Sequence, residues 1–351
     1  MTHGFDIVYV YYPRGLATGG PEALHQLVDS LRRQGREAYL VAVPGTERAP
    51  RAQRYAHYDA PEAPRVVDSA GTAVVVPETQ ALLLKGLRRA TGFVWWLSID
   101  YAPRFVIERA RSSTLPIERT RSSRAPLLQA RFVKRALRGI LTGEDAILRR
   151  AGHLAQSHYA WSHVFAHLGR PGTIVSDYTP ITPLPEDEIT TDGRIPRITY
   201  NPAKSREIMT EFARRWPGIE LLPLQGMTGD EVADALRTSL VYLDLGTHPG
   251  KDRMPREAAA LGAIVLVANR GAAANGVDVP IPSVHKVEVL PDVVLNAKRA
   301  LDTVFTDPAA ALAAQAEYRA RVAGEREAFD DEVAAAFIRG TTGSDGARPA
   351  R

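Results

Sequence analysis

Three cations and an imidazole fall within nine residues: His248, Lys251, Arg253 and Arg256. They lie in the stretch LVYLDLGTHPGKDRMPREAAALGAIVLVAN, residues 240–269. An apolar run at 240–245 precedes them and another at 263–268 follows. Between the two, Pro255 opens a short helix of Ala and Leu, and Gly262 closes it. Pro in the first turn and Gly past the last are the ordinary punctuation of a helix. In a parallel α/β sheet this loop would lie at the carboxyl end of its strand, where ligands bind. Helix-start N–H groups and clustered cations together favour an anion, most simply a phosphate or diphosphate.

A second loop has the same character. Residues 200–204, Tyr-Asn-Pro-Ala-Lys, follow an apolar run at 197–200 and would point into the same cleft. Asn201, Lys204, Lys251, Arg253 and Arg256 are the expected diphosphate ligands, and the cations would neutralise a diphosphate leaving group without a metal. Glu257, at the helix start, would accept from ribose hydroxyls; alternatively it only complements the helix dipole. Gln225 and Met227 follow the strand at 219–223 and would face a nucleobase, although a plain turn accounts for them too. Lys204, His248 and Asp100 are the catalytic candidates. Asp100 ends the strand at 92–97 and would serve as general base or acceptor-hydroxyl contact. A turn-initiating Asp reads the same way, and Glu78 competes for the role. Trp95 and Trp96 read as core.

Other chemistries fail on their signatures. The chain has no cysteine, which excludes thiolate nucleophiles, Cys-ligated zinc, iron–sulfur clusters and disulfides. GTHPGKD is one residue short of a P-loop, with Asp252 where a Ser or Thr would hold magnesium. G-x-G-x-x-G does not follow the first strand, HExxH and GxSxG are absent, and no Asp-x-Asp pair is present to chelate a nucleotide through a metal. His163 and His167 have helical metal-ligand spacing but read more simply as satisfied histidines. No metal and no cofactor beyond the substrate is expected.

These loops need two α/β units to position them. The 351 residues suit about two domains. Strand candidates at 5–11, 37–43, 72–76, 92–97 and 172–175 alternate with helices, and the pattern restarts after the Pro- and acid-rich stretch at 180–194. The expected boundaries are a first Rossmann-like domain at 1–180, a linker at 181–195 and a second at 196–307; the resemblance described below implies that the first takes the acceptor and the second the nucleotide sugar. A long Ala-rich helix at 308–339 and a disordered tail at 340–351 complete the chain. Between Arg104 and Arg150, twelve Lys/Arg face four Asp/Glu, a local +8 against a total of +4. That block would meet an anionic membrane surface or acceptor, or form a solvated Arg-rich face; nucleic acid is disfavoured by the scarcity of interleaved aromatics. MTHGFDIVYVYY reads as a first strand rather than a signal peptide, and no apolar run is long enough to span a bilayer. A cytoplasmic protein is expected, peripheral at the inner membrane face if the basic block docks there.

The C-terminal half resembles the donor-binding domain of bacterial GT-B glycosyltransferases, particularly the retaining ones of surface-polysaccharide biosynthesis. The resemblance rests on REAAALGAIVLVANRGAA and YNPAKS, and on GGPEALHQLVDSLRRQGREAYLV near the N-terminus. It implies two Rossmann-like domains facing across a cleft, with the C-terminal helix crossing back to the first. It also implies Glu257 on the ribose, Lys204 on the donor diphosphate, and Gly19 and Gly20 near sugar and phosphates. The implied activity is sugar transfer from a nucleotide sugar to a glycan, lipid-linked or other hydroxyl acceptor. One departure stands out: those enzymes carry a further Glu eight positions before the ribose Glu, and this chain has Pro249 there. His248 or Asp252 would take its place, or the donor sugar is held differently, which leaves the stereochemical outcome open. A nucleotide-sugar epimerase or hydrolase, and a non-catalytic nucleotide-sugar-binding module, remain as alternatives.

Overall fold

The computed structural model describes residues 4–102 and 143–339. In the first half, strands β1 (Ile7–Tyr12), β2 (Glu37–Ala42), β3 (Thr72–Pro77), β4 (Thr91–Trp96), β5 (Gly152–Ala155) and β6 (Thr173–Ile174) form a parallel sheet in the order β2-β1-β3-β4-β5-β6. Helices α1 (Gly19–Arg33), α2 (Glu144–Arg150) and α3 (His158–Leu168) accompany it. In the second half, β7 (Ile195–Tyr200), β8 (Leu221–Pro223), β9 (Ser239–Asp244), β10 (Ile264–Ala268) and β11 (Lys286–Val287) form a parallel sheet in the order β11-β10-β9-β7-β8. Its helices are α4 (Pro202–Arg215), α5 (Gly229–Thr238), α6 (Arg253–Ala260) and α7 (Val293–Thr306).

Central parallel strands are covered on both faces, so they read as unbroken apolar runs rather than alternating ones. TAVVVP in β3, SLVYLD in β9 and IVLVA in β10 are buried at every position. Each sheet has one apolar cluster on either side. Trp95 and Trp96 lie in these cores, their indole N–H groups donating to the Val175 carbonyl and to His153.

Two expectations are modified. The Ala-rich tail is not one helix but four pieces: α8 (Pro308–Ala313), α9 (Ala316–Ala323), α10 (Glu325–Val333) and a π turn (Ala334–Ile338). Gln315 causes one break by turning its amide onto β10: it donates to the Val265 carbonyl at 2.8 Å and accepts from the Val265 N–H at 3.0 Å. Gly324 marks the other. The short β5 and β11 are strands the sequence reading did not include. The tail does return to the first half. Phe329, Val333 and Phe337 enter the core beside α1, and Arg33 pairs with Asp330 at 2.7 Å. The tail expected at 340–351 and most of the basic block at 104–150 lie outside the described residues.

Candidate functional site

Strand order locates the site before any side chain is considered. From β7 the chain moves outward to β8, returns to the other side of β7 for β9, and continues to β10 and β11. The switch point is therefore between β7 and β9, and loops leaving their carboxyl ends diverge to open a crevice there. They carry the residues the sequence singled out: 200–204 span the end of β7 and the start of α4, and 248–256 span the loop after β9 and the start of α6. The second reaches across to the first domain. Gly250 sits so close that a Cβ there would collide with the Leu97 carbonyl oxygen, and Lys251 donates its N–H to Gln156 at 2.9 Å.

Lys204 comes from the β7 loop and lies over the β9 loop. A Cβ at Gly246 would come within 2.7 Å of the Lys204 Cβ, so glycine there lets the lysine stem pack down. The ammonium lies 2.6 Å from Asp252 Oδ2 and 4.0 Å from Asp244 Oδ2. His248 Nδ1 lies 2.8 Å from the same Asp252 oxygen, and Nε2 is 3.8 Å from Asp244 Oδ1. Burial works against the Asp252 carboxylate, but His248 and Lys204 outweigh it and hold its pKa below the ordinary value. Asp244 is fixed in turn by the Tyr242 hydroxyl at 3.2 Å and the Gly246 N–H at 2.9 Å.

Arg256 and Lys251 are engaged differently. Arg256 is only 1% exposed and donates to both Asp177 carboxylate oxygens at 3.0 Å. It also donates to Glu325 at 2.8 Å and to the Asp252 carbonyl at 3.1 Å. Lys251 pairs with the other Glu325 oxygen at 2.8 Å. Burial opposes the charge on both partners; nevertheless Asp177 and Glu325 raise the Arg256 pKa, while Arg256, Lys251 and Arg253 lower that of Asp177. The guanidinium donors are taken up by these carboxylates and carbonyls. Arg256 ties the start of α6 to the end of the first domain and to the returning tail; the sequence expected it on a diphosphate.

Arg253, the first residue of α6, lies between these cases. Nη1 donates to buried Glu22 in the first turn of α1 at 2.5 Å, and Nε is 4.0 Å from Asp177. Nε and Nη2 are both buried and have no hydrogen-bond acceptor. Nε faces Gly19, where a Cβ would lie 3.6 Å away. Glu22 also takes the Tyr58 hydroxyl at 3.0 Å and pairs with Arg54 at 3.1 Å.

The remaining candidates are spread around this centre. Asn201 caps α4, accepting from the Ala203 N–H at 3.0 Å. Glu257 is partly buried on α6 and accepts from Thr179 at 3.4 Å. Gln225 accepts from Arg206 at 2.6 Å, in the turn after β8 that also holds Met227. Gly20 follows Gly19 at the start of α1. Asp100 lies in the turn after β4 and accepts the Tyr159 hydroxyl at 3.0 Å. Glu78 is buried and accepts the Leu97 N–H at 3.1 Å, a backbone task. His163 Nδ1 lies 3.0 Å from the Tyr159 carbonyl within α3.

Sequence reasoning named Asp252 but missed the other four carboxylates, Glu22, Asp177, Asp244 and Glu325. Glu22, Asp177, Asp244, Asp252 and Glu325 face Lys204, Lys251, Arg253, Arg256 and Arg54, five acids against five bases. Asp244 had a legible signal, as the single acid of an otherwise apolar strand. Asp177 and Glu325 had none, being 79 and 69 residues from Arg256.

No protein-family model matches the chain, and no curated protein matches its sequence. Solved structures do. Sucrose-phosphate synthase from Thermosynechococcus elongatus is similar at 14% identity, with 93% of this chain and 97% of that one covered and a TM-score of 0.62. WaaG, a glycosyltransferase involved in lipopolysaccharide biosynthesis, is similar at 10% identity, covering 93% and 99% with a TM-score of 0.52. S. aureus TarM, a mutant in complex with fondaparinux, α-GlcNAc-glycerol and UDP, gives 11%, 76% and 55% with a TM-score of 0.51. The fold is GT-B. At these identities the likeness concerns the chain path alone, and the site must be argued from its own residues.

Proposed function

We propose that the protein is a metal-independent glycosyltransferase that moves a sugar from a nucleotide-sugar donor to a hydroxyl on a glycan or lipid-linked acceptor. One observation carries this reading: Lys204, in the first turn of α4, and Arg253, which opens α6, follow the two strands of the β7–β9 switch point, and Arg253 keeps two buried donors without an acceptor. A guanidinium edge of that kind matches two oxygens of a phosphate. The donor diphosphate would lie between Lys204, Arg253 and the Gly19–Gly20 turn, with Glu257 on the ribose and the Gln225–Met227 turn by the base. As the glycosidic bond breaks, charge accumulates on the diphosphate, and preorganised cations stabilise it. Asp100, on the opposite domain, would contact the acceptor hydroxyl.

Of the solved structures, WaaG's involvement in lipopolysaccharide biosynthesis and the UDP bound to TarM support the donor class and a glycan acceptor. Among the described residues, no helix is long and apolar enough to cross a membrane. The +8 block at 104–150 would bring a lipid-linked acceptor to the cleft. Failure to co-sediment with anionic vesicles at low salt would remove that element.

The donor reading is tested by thermal-shift screening with UDP, GDP, dTDP and ADP and their sugars, since binding to the folded state raises stability by mass action. One base should raise the melting temperature, and its sugar conjugate should turn over only with acceptor. Turnover without acceptor would indicate a hydrolase or epimerase, and binding without any turnover a non-catalytic module.

A further inference from the structure

We propose that Lys204 is the resident cation of a three-ligand pocket formed by Asp244, His248 and Asp252, where a divalent ion would otherwise sit, and that Asp252 and His248 are positioning residues that hold its ammonium for the donor phosphates. The second part rests on the donor reading above; the first does not.

One ligand atom from each of the three residues lies within 4.8 Å of the other two, a spacing that small adjustments would close around a metal. Nitrogen and oxygen donors of this kind suit zinc, cobalt or manganese. His248 supplies the second, independent observation. It is 2% exposed, and its Nε2 has no hydrogen-bond partner although it is directed toward Asp244 at 3.8 Å. A buried imidazole nitrogen normally finds a partner, so this one leaves a lone donor atom in the pocket.

The ammonium already takes the acid side of this pocket. Lys204 Nζ lies on the two carboxylates of the pocket, and an ion entering there would meet its positive charge at close range. The lysine stem is seated on Gly246, so the charge is held in place rather than swinging in solvent. Asp244 is anchored by two donors, and both His248 and Lys204 converge on one Asp252 oxygen. A covalently attached cation thus does the charge work for which other transferases recruit a metal, and it leaves Asp252 only when phosphate oxygens offer a better partner.

Cobalt(II) titration of the full-length protein, followed by visible absorption, tests the pocket without reference to any donor. Lys204→Ala should bind one cobalt ion with d–d bands, adding His248→Ala should abolish them, and the wild type should show none at the same concentration. Equal binding by the wild type, or none by a folded Lys204→Ala, overturns the resident-cation assignment. Lys204→Met serves if the alanine variant does not fold. For the positioning role, Asp252→Asn should bind the nucleoside diphosphate about threefold to tenfold more tightly, by freeing the ammonium, while kcat falls about tenfold or more. Weaker binding together with lower kcat would show a merely structural Asp252 and overturn that half. If the wild type binds none of UDP, GDP, dTDP or ADP, the donor reading and the positioning role fall with it, while cobalt still decides the pocket.

Discussion

Arg256 and Lys204 approach the switch point from different loops, and the contrast between them shows what a cluster of cations means. Arg256 is enclosed by Asp177 and Glu325, carboxylates from the end of the first domain and from the returning tail. Lys204 retains 26% side-chain exposure and is held by acids of the adjacent loop. The first is a joint between distant parts of the chain. The second is a partly exposed charge beyond the carboxyl ends of β7 and β9, and Arg253, at the start of α6, keeps two donors without an acceptor. Charge density alone does not separate these roles; what separates them is whether the partner oxygens leave anything for a ligand.

The largest expected effect breaks the comparison if it fails. Arg256→Leu leaves Asp177 and Glu325 buried without a partner and should cost about 3–5 kcal/mol in chemical denaturation, since removing one member of a buried pair strands the other. Lys204→Met leaves Asp252 with His248 and Asp244 with the Tyr242 hydroxyl and Gly246 N–H, so it should cost clearly less stability than Arg256→Leu, yet lower kcat/KM for the donor roughly 100-fold, about 2.7 kcal/mol of transition-state stabilisation. If both variants lose stability alike, Lys204 is a joint as well. Arg253→Lys keeps the charge but not the flat two-donor edge, and should lower donor kcat/KM about tenfold.

The smallest effect concerns pH and sharpens the structural side. His25, enclosed by Tyr12, Tyr55 and Tyr58, is pushed by burial to a pKa of about 4, and burial does the same to His153. Each is neutral in the fold but protonates in the unfolded chain near the ordinary value of about 6.5. Their stability contribution is therefore complete above about pH 6.5 and is lost as pH falls toward about 4. Asp177 acts lower: its pKa is depressed, so its contribution is present above the ordinary carboxylate value, about 3.9, and fades as pH falls through the folded value. Melting temperatures measured from pH 7 to 4 should fall, less steeply in His25→Gln.

The fold was legible because its signals are local. Val- and Leu-rich runs, the Pro255 and Gly262 punctuation and the α1 stripe of Leu24, Leu27, Val28 and Leu31 each lie within one element. The two loops of the site were found for the same reason. What each cation does was not legible, because its partner lies far away in sequence: Glu22 for Arg253, Asp177 and Glu325 for Arg256. The broken tail escaped because Ala-rich periodicity runs through Gln315 and Gly324, and only contact with β10 makes Gln315 a stop.

The central claim is that Lys204, unlike Arg256, meets a donor diphosphate. Calorimetric titration of the preferred nucleoside diphosphate into wild type and Lys204→Met measures it most directly. The account expects one binding site in the wild type and a loss of affinity of about tenfold or more in the variant. Equal affinity in the two proteins would contradict it.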